Sequence, residues 1–179
     1  MAEAFSNSLS RAAGIVTSYS GSTVAAGSTA ITVTANTGIG VSSLIDNQHF
    51  IAGTRVHSID GTTIYADRAS TNGASATGQV VKFLGATTSY TSPASTKSIL
   101  IGGTFANNTN NSINLTVETY DNSAEVGVAI ASKIPVPAGS SFVISDTGKT
   151  LLEAGDQLRV YCDTANAVDV SLSILTGVN

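Results

Sequence analysis

The chain contains few charged residues, a single cysteine and no tryptophan. Charged side chains make up 11% of its 179 residues, whereas an average globular protein has roughly 25%. Intrinsic disorder needs low hydrophobicity and high net charge, and a hydrophobic content of 42% excludes that class. The many Ser and Thr hydroxyls suit exposed faces of sheets, because they bond locally or across strands. The composition therefore predicts a stable, weakly charged all-β protein.

Several partners and compartments are disfavoured by what the sequence lacks. Cys162 has no second cysteine to pair with, which fits folding in a reducing cytosol. The net charge of −4 and the scattered basic residues argue against nucleic acid as a partner. No segment approaches the roughly 20 apolar residues of a membrane span, and Glu3 stands where a signal peptide would be basic. We therefore expect a soluble protein with no nucleic-acid partner, no membrane contact and no visible export signal.

Alternation of apolar and polar residues is the dominant pattern. Residues 168–174 place four apolar side chains on one face and three polar ones on the other, which predicts a half-buried antiparallel strand. Residues 113–118 and 31–34 repeat the pattern. The other predicted strands are 14–19, 62–66, 79–84, 98–105, 126–130, 141–144 and 157–161. Many short strands separated by turn residues indicate a sandwich or barrel.

A change in composition divides the chain. Residues 85–96 lack an apolar pattern and contain a proline, so we interpret them as a linker. Residues 14–84 form a small predicted β domain whose weak strands favour completion of its core by a neighbouring chain. Residues 97–179 predict a C-terminal antiparallel β-sandwich. Residues 1–13 are interpreted as an N-terminal arm, with a short helix and an extended segment equally compatible with the pattern.

The residues capable of imidazole or thiol chemistry form no recognisable site. His49 and His57 are eight residues apart, whereas metal sites and hydrolytic dyads favour spacings of two or four with a third group nearby. We interpret them as surface or turn histidines. Cys162 lies in an alternating strand without a nearby histidine, which favours a buried, inert thiol over a nucleophile.

The acidic residues Asp156, Asp163 and Asp169 raise the question of calcium. No Asp-x-Asp-x-Asp-Gly loop is present, and ligands spread over several turns define no site, so a solvated face is the stronger interpretation. A glycosidase would need two carboxylates facing one cleft, and the sequence offers no such pair. We therefore expect a non-enzymatic protein without a metal or cofactor.

Two stretches resemble a known group of proteins. Within the first, residues 42–47 (SSLIDN), 50–56 (FIAGTRV) and 59–64 (IDGTTI) resemble a small β unit common in phage structural proteins. Two turn units lie within it, and we expect its aliphatic residues to fill one small core: Ile51, Val56, Ile59 and Ile64.

The second stretch begins at residues 97–109 (KSILIGGTFANNT) and continues through 134–142 (IPVPAGSSF), 152–160 (LEAGDQLRV) and the strand at 168–175. Its order is similar to that of virion structural proteins of tailed phages, especially contractile-tailed phages of cyanobacteria. The resemblance implies a capsid-decoration, neck, collar or tail-accessory role, in a virion assembled in the host cytoplasm. Other virion proteins and further copies of the chain are the implied partners, and no catalytic residues carry over.

In such a particle we expect the predicted arm to serve as an anchor. Phe5 and Leu9 are its only large apolar residues besides Met1, and their spacing of four fits an anchor to the capsid or a neck protein. Deletion of residues 2–13 is expected to leave both β domains folded but to abolish incorporation into particles.

The alternative function is a bacterial surface adhesin or a carbohydrate-binding β module. Such modules usually stack sugars on exposed Trp or Tyr side chains. The chain has no Trp, and the tyrosines that would substitute are Tyr19, Tyr65, Tyr90 and Tyr120.

Overall fold

The structure is a computed structural model that describes residues 3–145 and 149–178. Within these residues every regular element is a β-strand, which confirms the predicted all-β class. The chain divides into two compact units. The sandwich unit comprises residues 1–14 and 87–179, and the closed-sheet unit comprises residues 15–86. Met1, Ala2, residues 146–148 and Asn179 lie outside the described residues.

The sandwich unit contains two antiparallel sheets. The strands of sheet I are β1 (Ala4–Ala13), β9 (Lys97–Asn107), β12 (Ser141–Ile144), β13 (Thr150–Leu152) and β15 (Val168–Val178). Their order is β1-β15-β9-β12, and β13 also pairs with β9. The strands of sheet II are β8 (Thr87–Thr91), β10 (Ile113–Asp121), β11 (Val126–Val136) and β14 (Gln157–Cys162). Their order is β11-β10-β14-β8.

The inner faces of these sheets share one apolar core. The alternating apolar residues of β15 are all buried, as are those of β10, and both sets belong to the same cluster. The buried residues concerned are Val168, Val170, Leu172 and Ile174 with Ile113, Leu115 and Val117. The face predicted from the alternation is therefore the buried one, and it belongs to the same core cluster as the apolar residues of β10.

Gly103 on β9 is required by the packing of this core. A Cβ atom at this position would lie 2.8 Å from Leu172 Cδ2 and 3.2 Å from a ring carbon of Phe105. Any larger residue would therefore displace one of two fully buried side chains.

The closed-sheet unit is a single six-stranded sheet. Its strands are β2 (Ile15–Val24), β3 (Ala30–Thr32), β4 (Leu44–Asp46), β5 (Val56–Asp60), β6 (Thr63–Ala66) and β7 (Ala76–Gly85). Their order is β4-β7-β2-β3-β6-β5. The two ends of this order meet, because Leu44 bridges Arg55 and the amide of Val56 donates to the carbonyl of Ser43 at 2.9 Å.

Because its sheet is closed, this unit does not need a neighbouring chain to complete its core, which differs from the expectation from the sequence. A closed sheet leaves no unpaired edge, and its interior holds a cluster that includes Ile31, Ile64 and Phe83, each at most 1% exposed. The unit therefore completes a core of its own. One predicted core residue is wrong: Ile51 is 52% exposed, because it lies in the turn before Gly53, whose φ of 86° reverses the chain.

The structure differs from the predicted arm and linker. Ala4–Ala13 is a strand of sheet I, in which Phe5 lies opposite Leu175 on β15. Thr87–Thr91 is likewise a strand, paired with β14 in sheet II. Since the first strand contributes the buried Ala13 to the sandwich core, deletion of residues 2–13 would expose the edge of β15 and destabilise this unit. The expectation that both β domains stay folded after this deletion is therefore wrong for the sandwich unit.

Candidate functional site

The two histidines belong to different environments in the closed-sheet unit. His57 lies on β5 and lines a shallow open groove with Tyr65 and Asp67. Asp67 Oδ1 accepts the amide of Arg55 at 2.8 Å, so this carboxylate holds the backbone. His49 lies in the loop after β4, and it is not among the residues that line the groove. The structure therefore assembles no histidine dyad here.

The three aspartates considered for calcium each bind backbone amides at a separate place. Asp156 accepts the amide of Glu153 at 2.9 Å, and Asp163 accepts that of Asn114 at 3.0 Å. Asp169 accepts the amide of Ala12 at 2.9 Å. In residues 3–145 and 149–178 no three His, Cys, Asp or Glu side chains converge as a metal site would require. These carboxylates therefore hold neighbouring backbone segments of the sandwich unit together.

The single cysteine is buried, as the sequence predicted. Cys162 lies in the core of the sandwich unit with an exposed fraction of 0%. A reagent or substrate cannot reach this thiol without opening the core.

A buried polar pair lies on sheet II and was not predicted. The Tyr161 hydroxyl donates to Glu118 Oε1 at 2.8 Å, and both side chains are at most 1% exposed. Glu118 lies opposite Arg159 in the register of β10 and β14. A Cβ atom at Gly127 would overlap the Glu118 carboxyl group, so the glycine makes room for the acid. An acid at an outward position of an alternating strand resembles a solvated residue, which is why the pattern gave no signal.

The outer face of sheet I is an exposed apolar surface of the sandwich unit. Phe5 and Leu9, the two residues predicted for assembly, both lie on this face of β1 and are 78% and 73% exposed. Phe5 begins an apolar row that crosses the sheet. Successive register partners along this row are Phe5, Leu175, Ile99 and Leu151.

A second row on the same face begins at Leu9 and ends at another exposed aliphatic residue. Its successive partners are Leu9, Ser171, Thr104 and Val143. Leu151 and Val143, at the far ends of the two rows, are 50% and 55% exposed. The outer face of sheet I thus carries one row that is apolar throughout and a second row with apolar residues at its two ends and hydroxyl residues between them.

Comparison with known proteins gave no relative. No family model, curated protein or solved structure matches the chain. None of the described residues forms a helix that could cross a membrane. The surfaces above are therefore interpreted from their own chemistry.

Proposed function

We propose that the chain is a non-enzymatic structural protein of a tailed-phage virion, an accessory or decoration component attached to the capsid or to the neck and tail. The sequence resemblance of residues 41–83 and of residues 97–179 supports this assignment. The proposed partners are other virion proteins and further copies of the chain. The proposed place of action is the virion, assembled in the host cytoplasm.

The observation that carries the proposal is the outer face of sheet I. Contiguous exposed apolar groups on a soluble protein mark interaction sites, because leaving them in water is unfavourable. Phe5 and Leu9 head the two rows of this face, and both are more than 70% exposed. Burial of each on docking would contribute roughly 1.5–3 kcal/mol, which suits a surface that holds a fixed place in a particle.

The tyrosines needed by the carbohydrate-binding alternative are largely engaged within the protein. The Tyr19 hydroxyl donates to the carbonyl of Thr37 at 2.7 Å, and the Tyr90 hydroxyl lies 2.8 Å from Ser98 Oγ. The Arg159 guanidinium carbon lies 3.3 Å from the centroid of the Tyr120 ring and covers one face of it. These contacts favour the virion proposal over sugar stacking.

The proposal is tested by incorporation into particles. Phage that lacks its own copy of the gene is complemented with wild-type chain or with the double variant Phe5→Ser, Leu9→Ser, and the purified particles are quantified by mass spectrometry. The wild-type chain is expected at a fixed copy number, and the double variant is expected to be strongly depleted. Val41→Ser is the matched control, because Val41 is 61% exposed but belongs to the closed-sheet unit. Normal incorporation of the double variant would contradict the role of this face.

A further inference from the structure

The edges of the sandwich unit are protected unequally. Native proteins block edge strands by making them short or by adding bulges, Pro and Lys. The edge strands β8, β12 and β13 span only five, four and three residues. The edge strand β11 carries two register shifts together with Lys133 and Pro135. These four edges are therefore poor templates for a further strand.

Strand β1 has none of these protections over most of its length. It is a ten-residue edge strand without proline or lysine, and its register with β15 is regular from Ala4 to Ser10. Among the residues that the structure describes, the backbone of residues 4–11 pairs only with β15, so the opposite edge offers amides and carbonyls to a further strand. Such an edge is a template for strand addition.

The sequence of this segment is complementary to itself when it runs antiparallel. With a two-fold axis at Asn7, Phe5 of one copy lies opposite Leu9 of the other. In the same register Glu3 lies opposite Arg11. Cross-strand apolar pairs and opposite charges each stabilise an antiparallel ladder. On the other face the register brings together only small side chains, from Ala4, Ser6, Ser8 and Ser10.

The charges of this segment are complementary to those of a second copy. The protein carries a net charge of −4, so two copies repel each other unless the contact itself is balanced. Glu3, which immediately precedes β1, and Arg11 within it give this segment no net charge, and each copy contributes one of each to the two symmetric pairs. An isologous contact of this form is what two-fold symmetry requires.

We propose that two copies of the chain associate through β1, as antiparallel neighbours about a two-fold axis at Asn7. Sheet I then continues from one copy into the other. The proposal names a partner for the virion protein proposed above and relies on that function only for its biological setting.

A charge-reversal experiment on the full chain tests both partner and register. In Glu3→Lys or Arg11→Glu both symmetric ion pairs become repulsive, so the dissociation constant measured by analytical ultracentrifugation should rise on the order of tenfold or more. Both residues are exposed, so neither variant should affect folding. The combined variant Glu3→Lys, Arg11→Glu should regain wild-type association. Glu125→Lys is the control, because Glu125 is exposed in a turn of sheet II and should leave association unchanged.

Mixing the two single variants gives the sharpest result. In a mixed pair the introduced lysine lies opposite the introduced glutamate, and the unaltered Arg11 lies opposite the unaltered Glu3. Native mass spectrometry should therefore show heterodimers well in excess of the two homodimers. Statistical mixing would place the interface elsewhere and overturn the proposal, as would a wild-type chain that stays monomeric at every concentration tested.

A cysteine at the axis gives an independent readout. In Asn7→Cys the two introduced thiols face each other across the ladder, at a Cβ separation of about 4.5–5.5 Å that a short bis-thiol reagent can span. Cys162 is fully buried and does not compete. Asn110→Cys, on an exposed turn, is the control that should not cross-link. Absence of cross-linking at position 7 would overturn the proposed register.

The two proposals fail in different ways. A monomeric chain that is nevertheless present in purified particles would overturn the dimer and leave the virion role intact. A dimer with the predicted charge dependence that is absent from particles would overturn the virion role alone.

Discussion

Leu172 on β15 lies opposite Gly103 on β9, and the packing of these two residues contributes to the stability of the sandwich unit. Leu172 is fully buried in the core of the sandwich unit. Replacement of such a leucine by alanine costs about 2–5 kcal/mol, because apolar contacts are lost and a cavity remains. Total domain stability is only about 5–15 kcal/mol, so Leu172→Ala should lower the melting temperature of this unit by many degrees.

Adding a methyl group at Gly103 should also destabilise the sandwich unit, because it overfills the core instead of leaving a cavity. In Gly103→Ala the new methyl group meets Leu172 Cδ2 at 2.8 Å, and overpacking of this kind costs about 1–3 kcal/mol. In the double variant Leu172→Ala, Gly103→Ala, the methyl group at position 103 occupies space that the Leu172 side chain has vacated. Only its contact with the Phe105 ring, at 3.2 Å, remains tight. The double variant should therefore lose less stability than the two single changes together, with a coupling of about 0.5–3 kcal/mol.

The assay is denaturant unfolding of the wild type, the two single variants and the double variant. A tertiary-structure signal is followed separately for each unit, because the two units need not unfold in one transition. Leu151→Ala is the matched control, since Leu151 is half-exposed on the outer face of sheet I and its truncation should change stability by about 0.5 kcal/mol or less. Additive effects of the two substitutions would contradict this prediction, because they would show that Leu172 and Gly103 do not share this space.

Three further predictions concern sheet II and its borders. Tyr161→Phe should cost about 1–3 kcal/mol in urea unfolding, because the buried Glu118 loses this donor; a cost no larger than that of Tyr65→Phe would contradict it. The Ser123 hydroxyl, followed by the backbone amide of Ala124, lowers the pKa of Asp121 below its ordinary value of 3.8. The ionised Asp121 carboxylate therefore stabilises the folded protein at pH values above 3.8, and this stabilisation is lost as the pH falls through the lowered pKa of the folded state. Ser123→Ala should raise the pKa of Asp121 measured by NMR titration. Limited proteolysis near the predicted linker should cut within residues 93–95, which are exposed, and spare Thr87–Thr91, which is paired; mass spectrometry of the first fragments decides.

Alternation made part of this fold predictable. Strands β10 and β15 each bury one face of a sheet, so their apolar residues recur at every second position and reveal both strand and buried side. Strand β1 gave no such signal. Its outer face carries Phe5 and Leu9 while small residues face inward, and its partner β15 lies at the other end of the chain. The sequence therefore drew attention to Phe5 and Leu9 as apolar residues near the start of the chain, but it did not predict the strand that carries them.

Two other features depend on interactions that side-chain patterns do not record. The closed-sheet unit closes through backbone hydrogen bonds between residues 42–45 and 54–56, which any side chains could accompany. The burial of Glu118 depends on Gly127 and Tyr161 from two neighbouring strands. Both features follow from contacts distant in sequence, which periodicity within one strand cannot show.

The virion role is tested most directly by labelling intact particles. Gold-conjugated antibody raised against this chain is applied to particles of the phage that encodes it, and the labels are located by electron microscopy. We expect labels at a fixed, repeated position on the capsid or on the neck and tail. Particles without label, from a preparation in which the antibody detects the chain only among unassembled host-cell proteins, would contradict it.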